Sequence, residues 1–170
     1  MKKISIVTPT FNEKDNIELL CQKVKEQFSK IDYNYEHIII DNNSNDGTIL
    51  ALRKICENDK NVKVIINNKN YGHINSPYHG ILQSSGDATI FMLSDFQDPI
   101  ELIPKLIDMW ETKHKVVLLQ KKSSDEGFFI KKARKIYYRL LNKFSDINLT
   151  LDATGSGIYD KSVIDTFRSI

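Results

Sequence analysis

The chain has little of what several large protein classes require. Its 170 residues include two cysteines, Cys21 and Cys56, which form no CxxC pair, so a disulfide framework and a cysteine zinc site are both disfavoured. No apolar run approaches the length of a transmembrane helix, and the run at residues 4–7 is too short for a signal-peptide core. Lysine and arginine (24) nearly balance aspartate and glutamate (22), so the charge gives no indication of nucleic-acid binding.

These absences predict a globular protein from a reducing compartment. We expect both cysteines to be free thiols on helices, and we expect a soluble, cytoplasmic chain. A length of 170 residues is enough for a buried core and predicts one domain over residues 1–170. No repeat, low-complexity segment or linker interrupts it.

Strand and helix patterns alternate along the chain. Apolar, β-branched runs predict strands at residues 4–8, 38–40, 62–66, 88–93 and 115–119, and a short sixth segment at 157–159. Helical spacing and capping signals predict helices at 13–28, 46–56, about 75–84, after Pro99, at 128–144 and from Lys161. This order implies an α/β fold with a mostly parallel, doubly wound sheet and helices on both faces. The first strand is not followed by GxGxxG, which removes the fingerprint of a dinucleotide-binding domain.

The end of the first predicted strand, residues 7–13, is polar. Pro9 stiffens the turn, and Glu13 can reach a ribose or a base. Alternatively, Asn12 caps the following helix and Glu13 complements the helix dipole. Both interpretations stay open on the local pattern.

A second polar segment, residues 41–48, follows the next buried strand. Asp41 ends that strand, so its carboxylate is expected at the sheet edge, where it can accept the N3 hydrogen of uracil. For residues 42–46, a loop whose side chains make turns is the favoured interpretation.

The third segment, residues 93–99, carries the most informative pattern. Asp95 and Gln97 are two residues apart, so in an extended segment both side chains point the same way. A carboxylate beside an amide oxygen suits a hard cation, Mg²⁺ or Mn²⁺, of the kind that accompanies substrate phosphates. A helix-capping loop before Pro99 is the alternative. In open α/β sheets, ligands bind at the carboxyl edge to which all three segments belong.

Taken together, the segments resemble the family 2 inverting nucleotide-sugar glycosyltransferases, especially the members that serve polyprenyl phosphates. The resemblance rests on motifs spread over residues 3–168: Val7-Thr8-Pro9-Thr10-Phe11-Asn12-Glu13, the loop Asp41 to Thr48, Asn70-Tyr71-Gly72, Gly86-Asp87, residues 93–99, and Ile136-Tyr137-Tyr138-Arg139-Leu140-Leu141-Asn142.

The resemblance implies a nucleotide-diphospho-sugar transferase (Rossmann-like) fold and inverting transfer of a sugar from a nucleoside diphosphate donor, with UDP favoured. The acceptor would be polyprenyl phosphate or a cell-surface glycan. Roles carried over by the motifs are nucleotide binding by Pro9, Thr10, Asn12, Glu13, Asp41, Asn43, Asn70, Gly72, Ser94 and Asp95; Mg²⁺ or Mn²⁺ binding by Asp95 and Gln97; catalysis by Asp95 and Asp152; and phosphate binding by Arg134. Relatives continue beyond this length, so a fragment truncated at the C-terminus is also expected.

The chain departs from the family pattern in three places. Leu93 stands where the family has the first carboxylate of its metal pair, and leucine cannot ligate a metal. Asn42 replaces a second aspartate, and Gly155 and Gly157 stand where relatives place an acid and an arginine. These departures favour, as the alternative, a nucleotide-sugar-binding module or a catalytically impaired partner.

The missing acid bears on the acceptor. A sugar hydroxyl needs a base to remove its proton, whereas a lipid phosphate is already an anionic nucleophile. We therefore expect a phosphate acceptor, with Asp152 as the nearest remaining acid if a base is needed. The basic helix at 128–144 is a candidate for contact with an anionic membrane on the cytoplasmic side, and an ordinary solvated surface is its alternative.

Overall fold

The protein, seen in a computed structural model that describes residues 1–120 and 153–170, alternates strands with helices. The strands are β1 (Lys3–Thr10), β2 (Asn34–Asp41), β3 (Val62–Ile66), β4 (Ala88–Phe91), β5 (Val116–Gln120) and β6 (Ala153–Asp160). The helices are α1 (Lys14–Phe28), α2 (Thr48–Asn58), α3 (Gly72–Leu82), α4 (Ile103–Glu111) and α5 (Lys161–Arg168), and a short 3₁₀ helix (Ile100–Leu102) precedes α4.

The strands form one sheet in the order β3-β2-β1-β4-β6-β5. β1 runs parallel to β2 and to β4, β2 runs parallel to β3, and β6 runs antiparallel to β4. The predicted fold class is thereby confirmed as an α/β fold around a mostly parallel sheet. The order reverses between β1 and β4, which is the switch point at which open α/β sheets bind ligands.

The core follows directly from the apolar pattern. Isoleucines at 38, 39 and 40 are buried side by side in β2, because a central strand is covered on both faces. The predicted helical stripe of α1 is buried against the sheet: Ile17, Leu20, Cys21, Val24 and Phe28. α3 lies close to the sheet at Gly80, where an added Cβ would stand 3.0 Å from Ile40 and from Val7.

Residue contacts divide the chain into two compact units. One comprises Met1–Val117 and Ser156–Ile170, and the other is Leu118–Gly155. Of the second unit the structure describes residues 118–120 and 153–155, which are the end of β5 and the start of β6. The single domain expected from length stays a prediction.

Several element boundaries differ from those predicted, among them the end of β4 and the start of β6. β4 ends at Phe91, although the Met92 amide still donates to the Val7 carbonyl at 3.1 Å, because the chain turns immediately afterwards. β6 begins at Ala153, well before the predicted segment. Glycines are depleted in strands, so Gly155 and Gly157 hide the start of β6 from a propensity argument.

The buried carboxylate of Glu36, near the amino end of β2, bonds to residues near the amino ends of β1 and β3. Glu36 of β2 accepts hydrogen bonds from the Ser5 hydroxyl (2.6 Å) and the Ser85 amide (2.8 Å), and its side chain is 3% exposed. Its Oε2 lies 2.6 Å from Lys63 Nζ and 3.0 Å from Lys3 Nζ. Burial alone would raise the pKa of Glu36, but the hydrogen bonds from Lys63, Ser5, Ser85 and Lys3 outweigh it and hold the pKa well below its usual range.

His37, the next residue of β2, is buried without charge. Its Nε2 lies 3.0 Å from the Thr8 hydroxyl, and its Nδ1 is among the buried atoms without a partner in the described residues. Burial lowers the pKa of His37 to about 4. Both cysteines are free, as predicted, but of the two buried thiols expected only Cys21 is buried, which raises its pKa to about 12; Cys56 is half-buried.

Candidate functional site

The three polar segments predicted from sequence lie at the carboxyl ends of β1, β2 and β4. Thr10 pairs with Asp41 in the parallel register of β1 and β2, and the Asn42 amide donates to the Thr10 carbonyl at 2.9 Å. β4 flanks β1 on its other side, so residues 93–99 leave the sheet at the same edge. The parallel topology therefore brings together segments that are far apart in the sequence.

Asp41 is fully buried at this edge. Its Oδ1 accepts from the Ser44 amide at 2.9 Å and its Oδ2 from the Ser44 hydroxyl at 2.5 Å. Asn43, between them, adopts a left-handed backbone with φ 68°. The carboxylate is thus held in place by a tight turn, and its role towards uracil stays a prediction.

The first strand end is fastened to the same turn. The Asn12 amide donates to the Ser44 hydroxyl at 2.8 Å, and Asn12 Oδ1 accepts from the Asn45 amide at 3.0 Å. Asn12 has φ 57° and lies before the helix, so the interpretation of Asn12 as the cap of α1 is wrong. Glu13 is the residue at that cap position; its amide donates to the Thr48 hydroxyl at 2.9 Å, and its carboxylate accepts from Asn16 at 2.7 Å.

The start of α2 depends on Asp46 and Gly47. Asp46 Oδ1 accepts from the Thr48 amide (3.0 Å) and hydroxyl (2.6 Å), while Gly47 occupies the cap position with φ 103°. Burial acts to raise the pKa of Asp46, but these hydrogen bonds from Thr48 and one from the Lys14 amide hold it below its usual value. Positive φ at Gly47 is a conformation that favours glycine.

Asn42 joins the second strand end to the start of α3. Its Nδ2 donates to Asn70 Oδ1 at 2.8 Å, and its Oδ1 accepts from the Tyr71 amide at 2.9 Å and from Asn67 Nδ2 at 3.2 Å. An aspartate at this position could not donate to Asn70, so the departure from the family pattern serves a structural purpose here. Sequence reasoning treated Asn42 as loop; the number of asparagines in both segments was the available signal.

A cavity of about 360 Å³ opens at this edge. Four of the predicted nucleotide-binding residues line it, namely Pro9, Thr10, Asn70 and Gly72. Phe11 and His73 line it too, and sequence reasoning did not select them. The hydroxyl of Thr10 is buried and has no hydrogen-bond partner in the described part of the chain. Thr10 is therefore a residue of the cavity lining whose hydroxyl oxygen is itself buried.

The metal segment does not have the extended form assumed from sequence. Residues 94–98 form a turn, and Phe96 lies in the left-handed region with φ 59°. The side chains of Asp95 and Gln97 nevertheless converge: the Gln97 amide nitrogen Nε2 lies 2.6 Å from Asp95 Oδ2, and the Gln97 backbone amide donates to Oδ1 at 3.1 Å. The assumption of an extended segment was wrong, but the turn brings the side chains of Asp95 and Gln97 together.

The oxygens present at this turn fit a hard divalent cation. Asp95 is exposed and supplies a carboxylate, and Gln97 can supply an amide oxygen. Nowhere in residues 1–120 and 153–170 do three histidine, cysteine or acidic side chains gather as a metal-ligating group. A cation here would take its remaining ligands from phosphates and water, as Mg²⁺ commonly does.

Two further positions complete the placement of the predicted residues. Leu93 lines the cavity wall, and Ser94 beside it is buried. Gly155, where relatives place an acid, has φ 80° and open space around the position of an added Cβ. Asp152, Arg134 and the basic helix at 128–144 lie outside the described residues.

Across the two described stretches, each helix is too short or too polar to cross a bilayer.

The sequence profile of glycosyl transferase family 2 matches residues 5–168. The chain belongs to this family. Among curated family 2 relatives, an uncharacterized glycosyltransferase, YkcC, of Bacillus subtilis (strain 168) is 32% identical over 98% of the chain and 52% of its own length. The bactoprenol glucosyl transferase of Shigella phage SfX is 29% identical over 98% of the chain and 55% of its own length. The chain thus spans about half the length of the curated relatives that it matches.

Solved structures show the same fold at low sequence identity. Glucosyl-3-phosphoglycerate synthase from Mycobacterium tuberculosis, crystallised with Mn²⁺, UDP and glucosyl-3-phosphoglycerate, superposes with a TM-score of 0.65 at 21% identity, over 95% of this chain and 58% of that one. S. aureus TarS in complex with UDP-GlcNAc gives a TM-score of 0.54 at 24% identity, over 74% of this chain and 36% of that one. The α/β fold described here is therefore the fold of these two solved proteins.

Proposed function

We propose that this chain carries out inverting transfer of a sugar from a UDP-sugar to polyprenyl phosphate, with the help of a divalent cation. Its membership of glycosyl transferase family 2 supplies the reaction class. The observation that carries the proposal is the cavity at the switch point of the sheet, which Pro9, Thr10, Asn70 and Gly72 line.

The cavity is suited to the nucleoside part of a donor. Its volume of about 360 Å³ lies in the usual range for small-molecule sites, roughly 300–1,000 Å³. The ring of Phe11 offers an apolar surface for a base. UDP is favoured because the solved relatives with this fold include complexes with UDP and with UDP-GlcNAc.

Asp95 and Gln97 would hold a Mg²⁺ or Mn²⁺ ion beside the donor diphosphate. When bound, the cation neutralises negative charge on the leaving UDP. The chain's own contribution is the fixed carboxylate of Asp95, which the backbone amide of Gln97 already orients. Gln97 must turn its amide oxygen towards the same point.

A phosphate acceptor agrees with the absence of an acid at Gly155. An oxygen of the lipid phosphate attacks the anomeric carbon, the bond from that carbon to the UDP oxygen breaks, and UDP leaves with the electron pair. No proton has to be removed from the nucleophile, so no base is required at that step. The name of the phage relative, a bactoprenol glucosyl transferase, is in keeping with such an acceptor.

Leu93 favours a second candidate, a module that binds the nucleotide sugar without transferring it. Its apolar side chain lies on the cavity wall at the position of the family's first metal-pair carboxylate. Turnover of a UDP-sugar in the presence of polyprenyl phosphate separates the enzyme from the module.

Calorimetric titration of UDP, GDP and CMP, with and without Mn²⁺, tests the donor site. We expect UDP to bind with Mn²⁺ and the affinity to fall about tenfold or more in Asp95→Asn, because a charged ligand of the cation is lost. Asp108→Asn, which removes an exposed carboxylate from α4, is the matched control and should bind as the parent does. Equal binding by the parent and Asp95→Asn, or no nucleotide binding at all, would contradict the proposal.

A further inference from the structure

The first turns of α3 carry an exposed apolar surface that the donor site does not use. It consists of Tyr71, Ile74 and Tyr78, and we call it the α3 face. Ile74 is 69% exposed, and the two tyrosines are each 41% exposed. Ile74 and Tyr78, which both lie in α3, are about 40° apart around the helix at 100° per residue. Tyr71 is the residue immediately before the helix, at its cap position.

The α3 face points away from the sheet but begins at the rim of the cavity. Gly80 marks the opposite side of the helix, where it contacts Ile40 and Val7. Gly72 and His73, in the first turn, line the cavity. The α3 face and the mouth of the candidate site are thus carried by the same few residues of one helix.

The charge around the α3 face favours an anionic partner. Residues 67–86 contain no aspartate or glutamate, although the whole chain has 22 among 170 residues. The cation in this stretch, Lys69, holds its Nζ 5.1 Å from the centre of the Tyr71 ring. Nothing in the stretch would repel a negatively charged surface, and Lys69 would be attracted to it.

We propose that the α3 face docks on the surface of an anionic lipid bilayer. Tyrosine is enriched at membrane interfaces, where its ring stays apolar and its hydroxyl stays wet, and an exposed isoleucine can enter the acyl boundary. Three partly exposed side chains present much less area than the roughly 1,200–2,000 Å² that a stable protein interface buries. A lipid surface needs only a few such anchors.

Contacts with α5 fix the position of α3, which carries Ile74 and Tyr78. Tyr78 donates its hydroxyl to the Phe167 carbonyl at 2.9 Å, and the two rings lie 6.3 Å apart. Arg168 donates to the Leu82 carbonyl at 3.1–3.2 Å and to the Ser84 carbonyl, so α5 secures the end of α3. The anchor residues therefore sit on a fixed helix.

The purpose of docking rests on the proposed function. With the α3 face on the bilayer, the mouth of the cavity would lie near the membrane that supplies the polyprenyl phosphate. The α3 face would supply orientation: Ile74 and the tyrosines would contact lipid, while the cavity would stay open to the donor.

Flotation with phosphatidylglycerol vesicles and with phosphatidylcholine vesicles, in the absence of nucleotide, tests the inference. We expect the 170-residue chain to float with phosphatidylglycerol vesicles. Ile74→Glu should weaken binding about tenfold or more, because an aliphatic side chain that would enter the lipid is replaced by a negative charge that the anionic lipid repels. Ile74→Leu should retain binding. Leu50→Glu, at a position on α2 that is 66% exposed, is the matched control and should bind as the parent does.

Three outcomes would overturn docking through the α3 face: no vesicle binding by the parent chain, equal binding by Ile74→Glu, or equal weakening in Leu50→Glu. Self-association that Ile74→Glu abolishes, without vesicle binding, would assign the α3 face to a second copy instead. Calorimetry with UDP on the same variants keeps the two proposals apart. Failure of the donor site abolishes UDP binding in every variant, whereas failure of docking leaves UDP binding intact.

Discussion

At the scale of single residues, the candidate site is built from hydrogen bonds between short side chains and backbone amides. Ser44 is the centre of this arrangement, because it donates twice to Asp41 and accepts from the Asn12 amide. One hydroxyl thereby fixes the ends of two strands. Asp41 is fully buried, so the loss of a partner leaves a desolvated carboxylate only partly satisfied.

We predict that Ser44→Ala lowers the free energy of unfolding by about 1–3 kcal/mol. The hydroxyl that donates to Asp41 disappears, and the Asn12 amide loses its acceptor. Urea denaturation followed by circular dichroism measures the change. Ser29→Ala is the control, since the Ser29 hydroxyl is exposed and donates to the Glu26 carbonyl. A loss no larger in Ser44→Ala than in Ser29→Ala would disprove the central role of Ser44.

Residue-level prediction from sequence failed where backbone conformation decides, and the nucleotide-binding roles stay predictions. Thr10, Asn70 and Gly72 were selected from their motifs, and all of them line the cavity. The turn at Phe96, with its positive φ, could not be foreseen, because a bulky residue in that region is an exception to local preference. The hydrogen bonds of Asn42, which donates to Asn70 and accepts from the Tyr71 amide, depend on the placement of residues 67–71, which no local pattern gives.

At the scale of elements, the close approach of the turn before β4 to β1 limits what the sequence can tolerate. A Cβ at Gly86 would stand 2.7 Å from the Lys3 carbonyl oxygen and 2.7 Å from the Ser5 nitrogen. Both are backbone atoms of a central strand. They cannot move without disturbing the pairing of β1 with β2 and β4.

We predict that Gly86→Ala lowers the free energy of unfolding by about 2–3 kcal/mol, because the added methyl group meets immovable backbone. Gly80→Ala is the matched comparison. Its Cβ would meet the side chains of Ile40 and Val7 at 3.0 Å, which can shift slightly, and alanine gains about 1 kcal/mol in helix propensity. Thermal and urea unfolding of the two variants compares them; equal losses would show that backbone crowding at Gly86 is not the deciding factor.

Element-level prediction depended on how each strand is bounded. β3 has the predicted limits, because its alternating residues are enclosed by polar loops on both sides. β6 was reduced to three predicted residues because it is rich in small residues and owes its existence to pairing with β4. Such pairing is a long-range property, and neither it nor the strand order can be derived from local sequence.

At the scale of the whole molecule, buried and paired ionisable groups set the response to acid. His37 is buried without charge, and burial lowers its pKa to about 4 from an ordinary 6.5. Burial acts to raise the pKa values of Glu36 and Asp160, but hydrogen bonds from Lys63 and from Lys115 among others hold both well below the usual range. All three groups bind protons more readily in the unfolded chain than in the folded one.

We predict that stability is full above pH 6.5 and falls as the pH drops towards 4, because unfolded chains gain a proton at His37 that the folded protein rejects. The contribution of His37 is at most about 3 kcal/mol. Urea midpoints measured between pH 7 and pH 4 should decline less steeply in His37→Gln. Identical slopes in the parent and in His37→Gln would contradict the assignment of the pH dependence to His37. The carboxylates of Glu36 and Asp160 change the stability at still lower pH.

The insertion of β6 between β4 and β5 has a consequence for how the protein is made. Synthesis proceeds from the amino end, so β1 to β4 leave the ribosome before residues 153–160 exist. Until then β4 has one partner and an open edge, which is a template for pairing with another chain. The Leu82 and Ser84 carbonyls lack the hydrogen bonds from Arg168 until that residue has been synthesised. A nascent or shortened chain that stops before Ala153 is therefore the form most exposed to aggregation and most in need of a chaperone.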